Sequence, residues 1–253
     1  MVTSKQRKRY ERNILVPGIG ESGQQRLLDA TVSIVGLGGL GSAAALYLAA
    51  AGVGKLTLID SDAVELSNLQ RQVVHTTDRL GMNKAESARI ALRALNPEIE
   101  LEPVQLRLTA DNADDLLPAC DVVVEATDNF AAKFLINDVC VKHGTPFATA
   151  GILALGGQAM FVVPGQTPCL RCAVPAEPEG LPTTSEQGVL GAVPGILGSF
   201  EAMAVIRYLV GLWKPHPDGT GAIHSIDGDS MHWRTTRLPQ NPTCFCQSSG
   251  STS

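Results

Sequence analysis

Aromatic side chains are scarce, with 2 Trp, 3 Tyr and 6 Phe in 253 residues, 4% of the chain. Ala, Leu, Val and Gly supply most of a composition that is 44% hydrophobic. Small and branched aliphatic residues suit close helix-on-sheet packing, which favours an α/β protein. Positive charge is also short. The formal net charge is −5, which argues against a general nucleic-acid binder, a class that is normally basic. The one basic cluster, Lys5-Gln6-Arg7-Lys8-Arg9, is short and terminal and reads as a solvated first turn. No apolar run reads as a bilayer span, because Leu40 to Val53 is too short and too rich in Ala and Gly. The N-terminus has no apolar stretch followed by a cleavage site, so no signal peptide is expected. No internal repeat is visible. These absences point to a cytoplasmic protein of one large domain, or a domain with a small lobe.

The first half alternates strand and helix signals. Val32 to Val35 is a short apolar run, followed by Gly36-Leu37-Gly38-Gly39-Leu40-Gly41. Helical composition covers Ser42 to Ala51, and a second strand covers Lys55 to Ile59, ending at Asp60. That strand–turn–helix–strand unit is the context of a mononucleotide-binding half. Ala85, Ala88, Leu92 and Leu95 share one face of a helix over 84–95, which Asn96-Pro97 stops. Strands are expected over 99–104 and 121–125, a helix over 130–142 ended by Gly144, and a strand from Pro146 to Ala150.

The second half changes character. A strand is expected over 157–163, then a mobile surface loop over 173–188. A long apolar helix follows over 195–212, with Pro194 standing just before it. Two strands over 222–226 and 231–236 flank Asp227-Gly228, and the tail from 247 to 253 is expected to be disordered. The fold class is a Rossmann-like, doubly wound, mostly parallel sheet with a smaller C-terminal lobe.

Glycines let a backbone turn tightly against a phosphate, and the following helix N-terminus supplies unpaired N–H donors. The run from Gly36 to Gly41 fits G-x-G-x-x-G, and Asp60 stands where an acidic residue holds ribose hydroxyls. An NAD(P)-dependent oxidoreductase is therefore one reading. The polar set after Asp60 suggests another. Arg71 and Lys84 suit phosphate oxygens, the first as a planar fork and the second as a point charge. Asn68 and Gln70 can donate amide hydrogens. Asp128 stands just past a strand end, where a carboxylate would repel a triphosphate unless Mg²⁺ bridged them.

The segments Arg9-Tyr10-Glu11-Arg12, Gly36 to Gly41, Asp60-Ser61-Asp62, Ser67 to Gln72, Gly81 to Lys84, Ala126 to Asn129, Cys169-Leu170-Arg171-Cys172 and Gly195 to Ala204 carry a resemblance. The chain, over about residues 9 to 246, resembles the ubiquitin-activating-enzyme-like adenylyltransferases, the MoeB/ThiF/HesA family. The resemblance implies that the C-terminal glycine carboxylate of a ubiquitin-like sulfur-carrier protein ending in Gly-Gly attacks ATP, giving an acyl-adenylate and pyrophosphate. It implies Gly39 under the phosphates, Asp60 on the ribose, Asn68, Arg71 and Lys84 on phosphates, and Asp128 on Mg²⁺. Gly36, Gly38, Gly41, Asp62, Ser67, Leu69, Gln70 and Asn129 complete the nucleotide set. Arg12 would reach the ATP of a neighbouring subunit, which implies a homodimer. Residues 9–150 would bind the nucleotide and 151–246 the carrier protein. Neither a membrane nor a nucleic acid is expected as partner.

Two positions depart from the family pattern. Some members carry a reactive cysteine where Thr184 stands, and this chain has no cysteine between Cys172 and Cys244. Adenylation with an external sulfur donor is therefore expected, without a thioester or persulfide on that loop. The family's second C-x-x-C is here Cys244-Phe245-Cys246. A structural Zn²⁺ on Cys169, Cys172, Cys244 and Cys246 is expected, although the short spacer makes two ligands to one metal harder to arrange. Cys120 and Cys140 read as core residues, and His75 as a loop histidine satisfied locally. Within the family, adenylation of a small molecule, a peptide or a modified tRNA stays open, as does a non-catalytic scaffold. The tRNA reading is the weaker because there is no basic appendage.

Overall fold

The computed structural model describes residues 1–178, 180 and 183–247. In chain order its elements are α1 (Ser4–Arg9), α2 (Glu11–Ile14), α3 (Gly20–Asp29), β1 (Thr31–Val35), α4 (Gly39–Ala51), β2 (Lys55–Ile59), α5 (Lys84–Leu95), β3 (Glu100–Val104) and α6 (Ala110–Leu116). There follow β4 (Val122–Glu125), α7 (Phe130–His143), β5 (Phe147–Leu153), β6 (Gly156–Val162), α8 (Leu170–Ala173), α9 (Thr184–Gln187), α10 (Ala192–Leu209), β7 (Gly221–Asp227) and β8 (His232–Leu238). All but the first residue of the tail expected to be disordered, with Glu179, Leu181 and Pro182 of the expected loop, lie outside the described residues.

The strands form one eight-stranded sheet in the order β3-β2-β1-β4-β5-β6-β7-β8. From β3 through β5 the pairings are parallel. From β5 through β8 they are antiparallel, so the C-terminal part continues the same sheet. β4 is Val122-Val123-Val124-Glu125, buried throughout, as a central strand covered on both faces must be. Val122 and Val124 enter the core under α3, α4, α5 and α10, whereas Val123 enters the one under α7 and Cys169. Helices thus cover both faces, and chain order reverses between β1 and β4. A crevice at the carboxyl ends of these strands is the usual ligand position in such a sheet.

Several boundaries differ from the sequence reading for local reasons. α4 begins at Gly39, inside the glycine run, because the last glycines of the run already form its first turn. α10 begins at Ala192 and includes Pro194. Proline is tolerated there because first-turn N–H groups have no intrahelical acceptor. α1 and α6 were not anticipated, yet both carry capping boxes, Thr3 with Gln6 and Thr109 with Asn112. α10 is the one helix among the described residues with the length and hydropathy of a membrane span. It packs on α4, β5 and β6 through buried Leu197, Ala202 and Val205, which makes it a core helix.

α10 also carries Glu201 into this core, fully buried, with neither carboxyl oxygen hydrogen-bonded. Burial first, then the nearby Glu125, pushes its carboxyl well above the ordinary 4.5, while Lys133 opposes them. A raised folded-state pKa contributes stability that is present below the unfolded value and lost as pH rises through the folded one. Glu201→Gln removes that loss. The variant is expected to melt roughly 2–4 °C higher at pH 8, the shift of about 1 kcal/mol in a chain this size. Melting curves against pH should show the gap closing as pH falls toward 4.5.

Candidate functional site

The glycine turn leaves β1 with Gly36 at φ +91°, a left-handed conformation that glycine adopts freely. A Cβ on Gly41 would stand 1.9 Å from the Gly36 carbonyl oxygen, so the run closes backbone against backbone. A Cβ on Gly39 would stand 2.8 Å from Pro194, so α10 packs directly on the turn. No side chain caps the N-terminus of α4, which leaves its first N–H groups open to the crevice.

Asp60 braces this turn. One carboxyl oxygen accepts from the Leu37 N–H at 2.7 Å and the other from the Asp62 N–H at 2.8 Å. Burial holds the carboxyl above its ordinary value even though both backbone donors lower it. His75 is buried beneath the same turn, with Nε2 2.9 Å from the Leu37 carbonyl and Nδ1 2.9 Å from Ser87 Oγ. Burial lowers His75 to about 4; the Leu37 carbonyl raises it, and Lys84 and Arg79 lower it further. The local satisfaction expected of this histidine is what its contacts provide.

Gly36, Gly38, Gly39, Asp60, Asp62, Arg71, Lys84, Asp128 and Asn129 all line one cleft of about 800 Å³, within the usual size of a ligand pocket. Lys84 is the first residue of α5 and is buried, with Nζ 3.1 Å from Asp62 Oδ2. Asn83 caps that helix, accepting from the Ala85 and Glu86 N–H groups, and donates to the Asp60 carbonyl at 3.1 Å. Arg71 donates to the Ser67 carbonyl at 3.0 Å. Asp128 is exposed just past β4, and Asn129 caps α7 through the Ala132 N–H.

Other expected residues do not line the cleft. Asn68 is buried, and its side-chain oxygen accepts from the Glu65 N–H, closing the turn over Leu66–Asn68. Ser67 donates to Glu65 at 3.3 Å, and Gln70 donates to the Val189 carbonyl at 3.5 Å. Leu69 is half-buried beside them, and Gly41 lies within α4. Arg12 is exposed on α2, with no ion pair among the described residues.

The structure adds a group the sequence did not suggest. Lys133, on the cleft wall, donates to Glu125 at 2.7 Å and to the Ala150 carbonyl at 2.6 Å. Glu125 also accepts from the Thr127 N–H at 2.8 Å and from the Thr127 and Thr149 hydroxyls at 2.5 Å. These contacts fix the turn that carries Asp128. The signal was one acid ending a valine strand and one lysine four residues after the α7 cap. Thr183 and Thr184 line the same cleft from the α9 side.

Cys169, Cys172, Cys244 and Cys246 stand apart from the cleft with all four sulfurs within 4.8 Å of one another. Cys169 and Cys244 are 3.6 Å apart, and Cys172 and Cys246 3.5 Å. A tetrahedral zinc with bonds of about 2.3 Å separates its sulfurs by roughly 3.8 Å, so the cluster has the size such a site needs. The short 3₁₀ turn Phe245–Gln247 accommodates the one-residue spacer. Cys140 is fully buried and Cys120 half-buried against the same core.

The chain is 42% identical over 238 residues to the SAMP-activating enzyme E1 of Haloferax volcanii, covering 93% of this chain and 87% of that protein. It is 42% identical over 237 residues to the sulfur carrier protein ThiS adenylyltransferase of Escherichia coli, covering 93% of each. Its fold superposes on E. coli MccB solved with ATP at a TM-score of 0.81 and 25% identity, covering 93% of this chain and 73% of that one. Residues 10–247 match the ThiF family model, which takes in the cleft, the sulfur cluster and the antiparallel end of the sheet alike, and the chain therefore belongs to the ThiF family.

Proposed function

We propose that this chain adenylates the C-terminal glycine carboxylate of a ubiquitin-like sulfur-carrier protein, consuming ATP and releasing pyrophosphate. The observation that carries the reading is the pairing of a glycine turn with Arg71, Lys84 and Asp128 in one cleft at the point where strand order reverses. After β5 the sheet turns antiparallel. Among the described residues a second parallel mononucleotide half, which a dinucleotide enzyme uses for its other nucleotide, is not built there.

The chemistry suits these groups. An α-carboxylate has a pKa of about 3.5, so it is a nucleophile at neutral pH without a general base. The obstacles are repulsion between anions and the charge that grows on departing pyrophosphate. The α4 N–H groups, Arg71 and Lys84 meet the phosphates with charge held in place before reaction. Asp60 accepts from the ribose hydroxyls with the lone pairs its two backbone donors leave free. Asn68, Ser67, Leu69 and Gln70 shape the segment that aims Arg71. Asp128 would hold Mg²⁺, which when bound neutralises phosphate oxygens as a Lewis acid. The exposed Asp128 carboxylate, contacted only by Asn129 at 3.4 Å among the described residues, is a fitting hard-oxygen ligand.

Zn²⁺ would sit among Cys169, Cys172, Cys244 and Cys246 with no open position, and so act in folding. Arg12 lies outside its own cleft and is solvent-exposed, as a residue that completes the site of a second copy would be. The active form is proposed to be a homodimer in the cytoplasm. Residues 9–150 bind nucleotide. Residues 151–246 receive the carrier, whose Gly-Gly end needs no room for side chains as it passes Thr183 and Thr184.

The sulfur comes from an external donor, because no cysteine stands between Cys172 and Cys244. Thr184→Ala is expected to keep exchange activity within about threefold of the parent. Complete loss would contradict this. The proposal as a whole is tested by ATP–[³²P]pyrophosphate exchange. Exchange that requires a carrier ending in Gly-Gly supports it, whereas reduction or oxidation of NAD(P) without exchange would replace it by the oxidoreductase reading.

A further inference from the structure

We infer that His75 and Ser87 are positioning residues for the nucleotide, aiming the Gly38 N–H at a phosphate and tying the glycine turn to the helix that carries Lys84. The inference rests on reading the cleft as an ATP site.

The tautomer follows from the partners. The Leu37 carbonyl can only accept, so His75 Nε2 carries the proton and donates at 2.9 Å. In a neutral ring Nδ1 is then an acceptor, and the Ser87 hydroxyl donates to it at 2.9 Å. Ser87 lies three residues after Lys84 in α5, nearly one turn along. The imidazole therefore bridges the phosphate-binding turn and α5.

The bridge has a directional consequence. In a planar trans peptide the N–H points opposite the C=O. No peptide in the described chain is cis. Holding the Leu37 carbonyl inward on His75 sends the Gly38 N–H the other way, toward the cleft that Gly38 lines. That N–H donates to no group among the described residues. The preceding peptide is held too, since the Leu37 N–H donates to Asp60. Leu37 is thus gripped at both ends, by an acid after β2 and a histidine before α5. Asn83 joins these grips by donating to the Asp60 carbonyl while capping α5. The donors of α4 and the ammonium of Lys84 are set at a fixed spacing before ATP arrives. Such preorganisation lowers the ordering cost of binding.

The test is isothermal titration of the full chain with ATP, together with steady-state exchange kinetics. His75→Ala is expected to weaken ATP binding and raise the KM for ATP about tenfold, with kcat changed less than about threefold. His75→Gln keeps a donor for Leu37 and should stay within about threefold of the parent, and Ser87→Ala should fall between the two. Folding is checked by circular dichroism. A folded His75→Ala that binds ATP as the parent does, with its loss confined to kcat or melting temperature, would overturn the inference. If His75→Ala does not fold, Ser87→Ala decides, and unchanged ATP affinity there would also overturn it. A parent chain that binds no ATP would instead defeat the adenylation reading and remove the basis of this one.

Discussion

Asp128→Asn is expected to lower pyrophosphate exchange about 10³-fold, with the fold intact. Among the described residues, three carboxylates line the cleft near the proposed phosphates: Asp60, Asp62 and Asp128. Asp60 already accepts a backbone N–H on each oxygen and has its remaining lone pairs assigned to the ribose, and Asp62 is paired with Lys84. Among the described residues Asp128 has only the Asn129 amide, at 3.4 Å. It is the carboxylate available to a divalent cation, and its place is fixed from behind by Glu125 and Lys133 through Thr127. An amide of the same shape keeps the turn but loses the charge that recruits the metal. Losing one preorganised electrostatic group in an active site costs about 10²–10³ in rate, and loss of metal places Asp128 at the upper end. The apparent Mg²⁺ requirement should rise in parallel. Melting temperature should move little, because the side chain is exposed and bears no ion pair among the described residues. Retention of more than about a tenth of the activity would remove Asp128 from the metal role.

Cys172→Ser is expected to lose bound zinc and to melt roughly 10 °C lower, while ATP binding persists below the transition. The four sulfurs join residues 75 positions apart, Cys169 to Cys244, and 74 apart, Cys172 to Cys246. With zinc bound they would tie residues 244–246 to the core under α7, where Phe134 and Val139 are buried. None of them lines the cleft. The loss is therefore in holding the C-terminal segment down, and chemistry should follow stability. Zinc analysis of protein purified without chelators should give about one equivalent per chain. Less than about half an equivalent, or a melting temperature shifted by under roughly 2 °C in the variant, would contradict a structural metal.

The half of the sheet around the glycine turn was legible in the sequence because its signals are local. G-x-G-x-x-G needs backbone contacts that only glycine permits, as Gly41 against Gly36 shows. The α5 face of Ala85, Ala88 and Leu92 is a 3.6-residue period stopped by Asn96-Pro97, so the helix bounds were readable to the residue, although Leu95, read onto the same face, is exposed. What was not legible is which partner a polar side chain chooses. Asp60 read as a ribose ligand, and in the structure it braces Leu37. Asn68 read as a phosphate donor, and the acceptor end of its amide closes its own turn. Lys133 was invisible, because a lysine inside a helix usually faces water and here it meets Glu125 across the sheet end. The spacer in Cys244-Phe245-Cys246 looked unfavourable on count alone, and a turn of 3₁₀ geometry resolves it. Such pairings are set by tertiary placement, which no spacing along the chain encodes.

The central claim is attack at the α-phosphorus by a carrier carboxylate. It is tested most directly by incubating the chain with Mg²⁺, a small protein ending in Gly-Gly, and ATP labelled either at the α- or at the γ-phosphate. The α-label is predicted to appear on the carrier as an acid-stable, hydroxylamine-labile adenylate, with the γ-label recovered in pyrophosphate. A γ-label on the carrier, or its release as inorganic phosphate with no α-label transferred, would contradict the account.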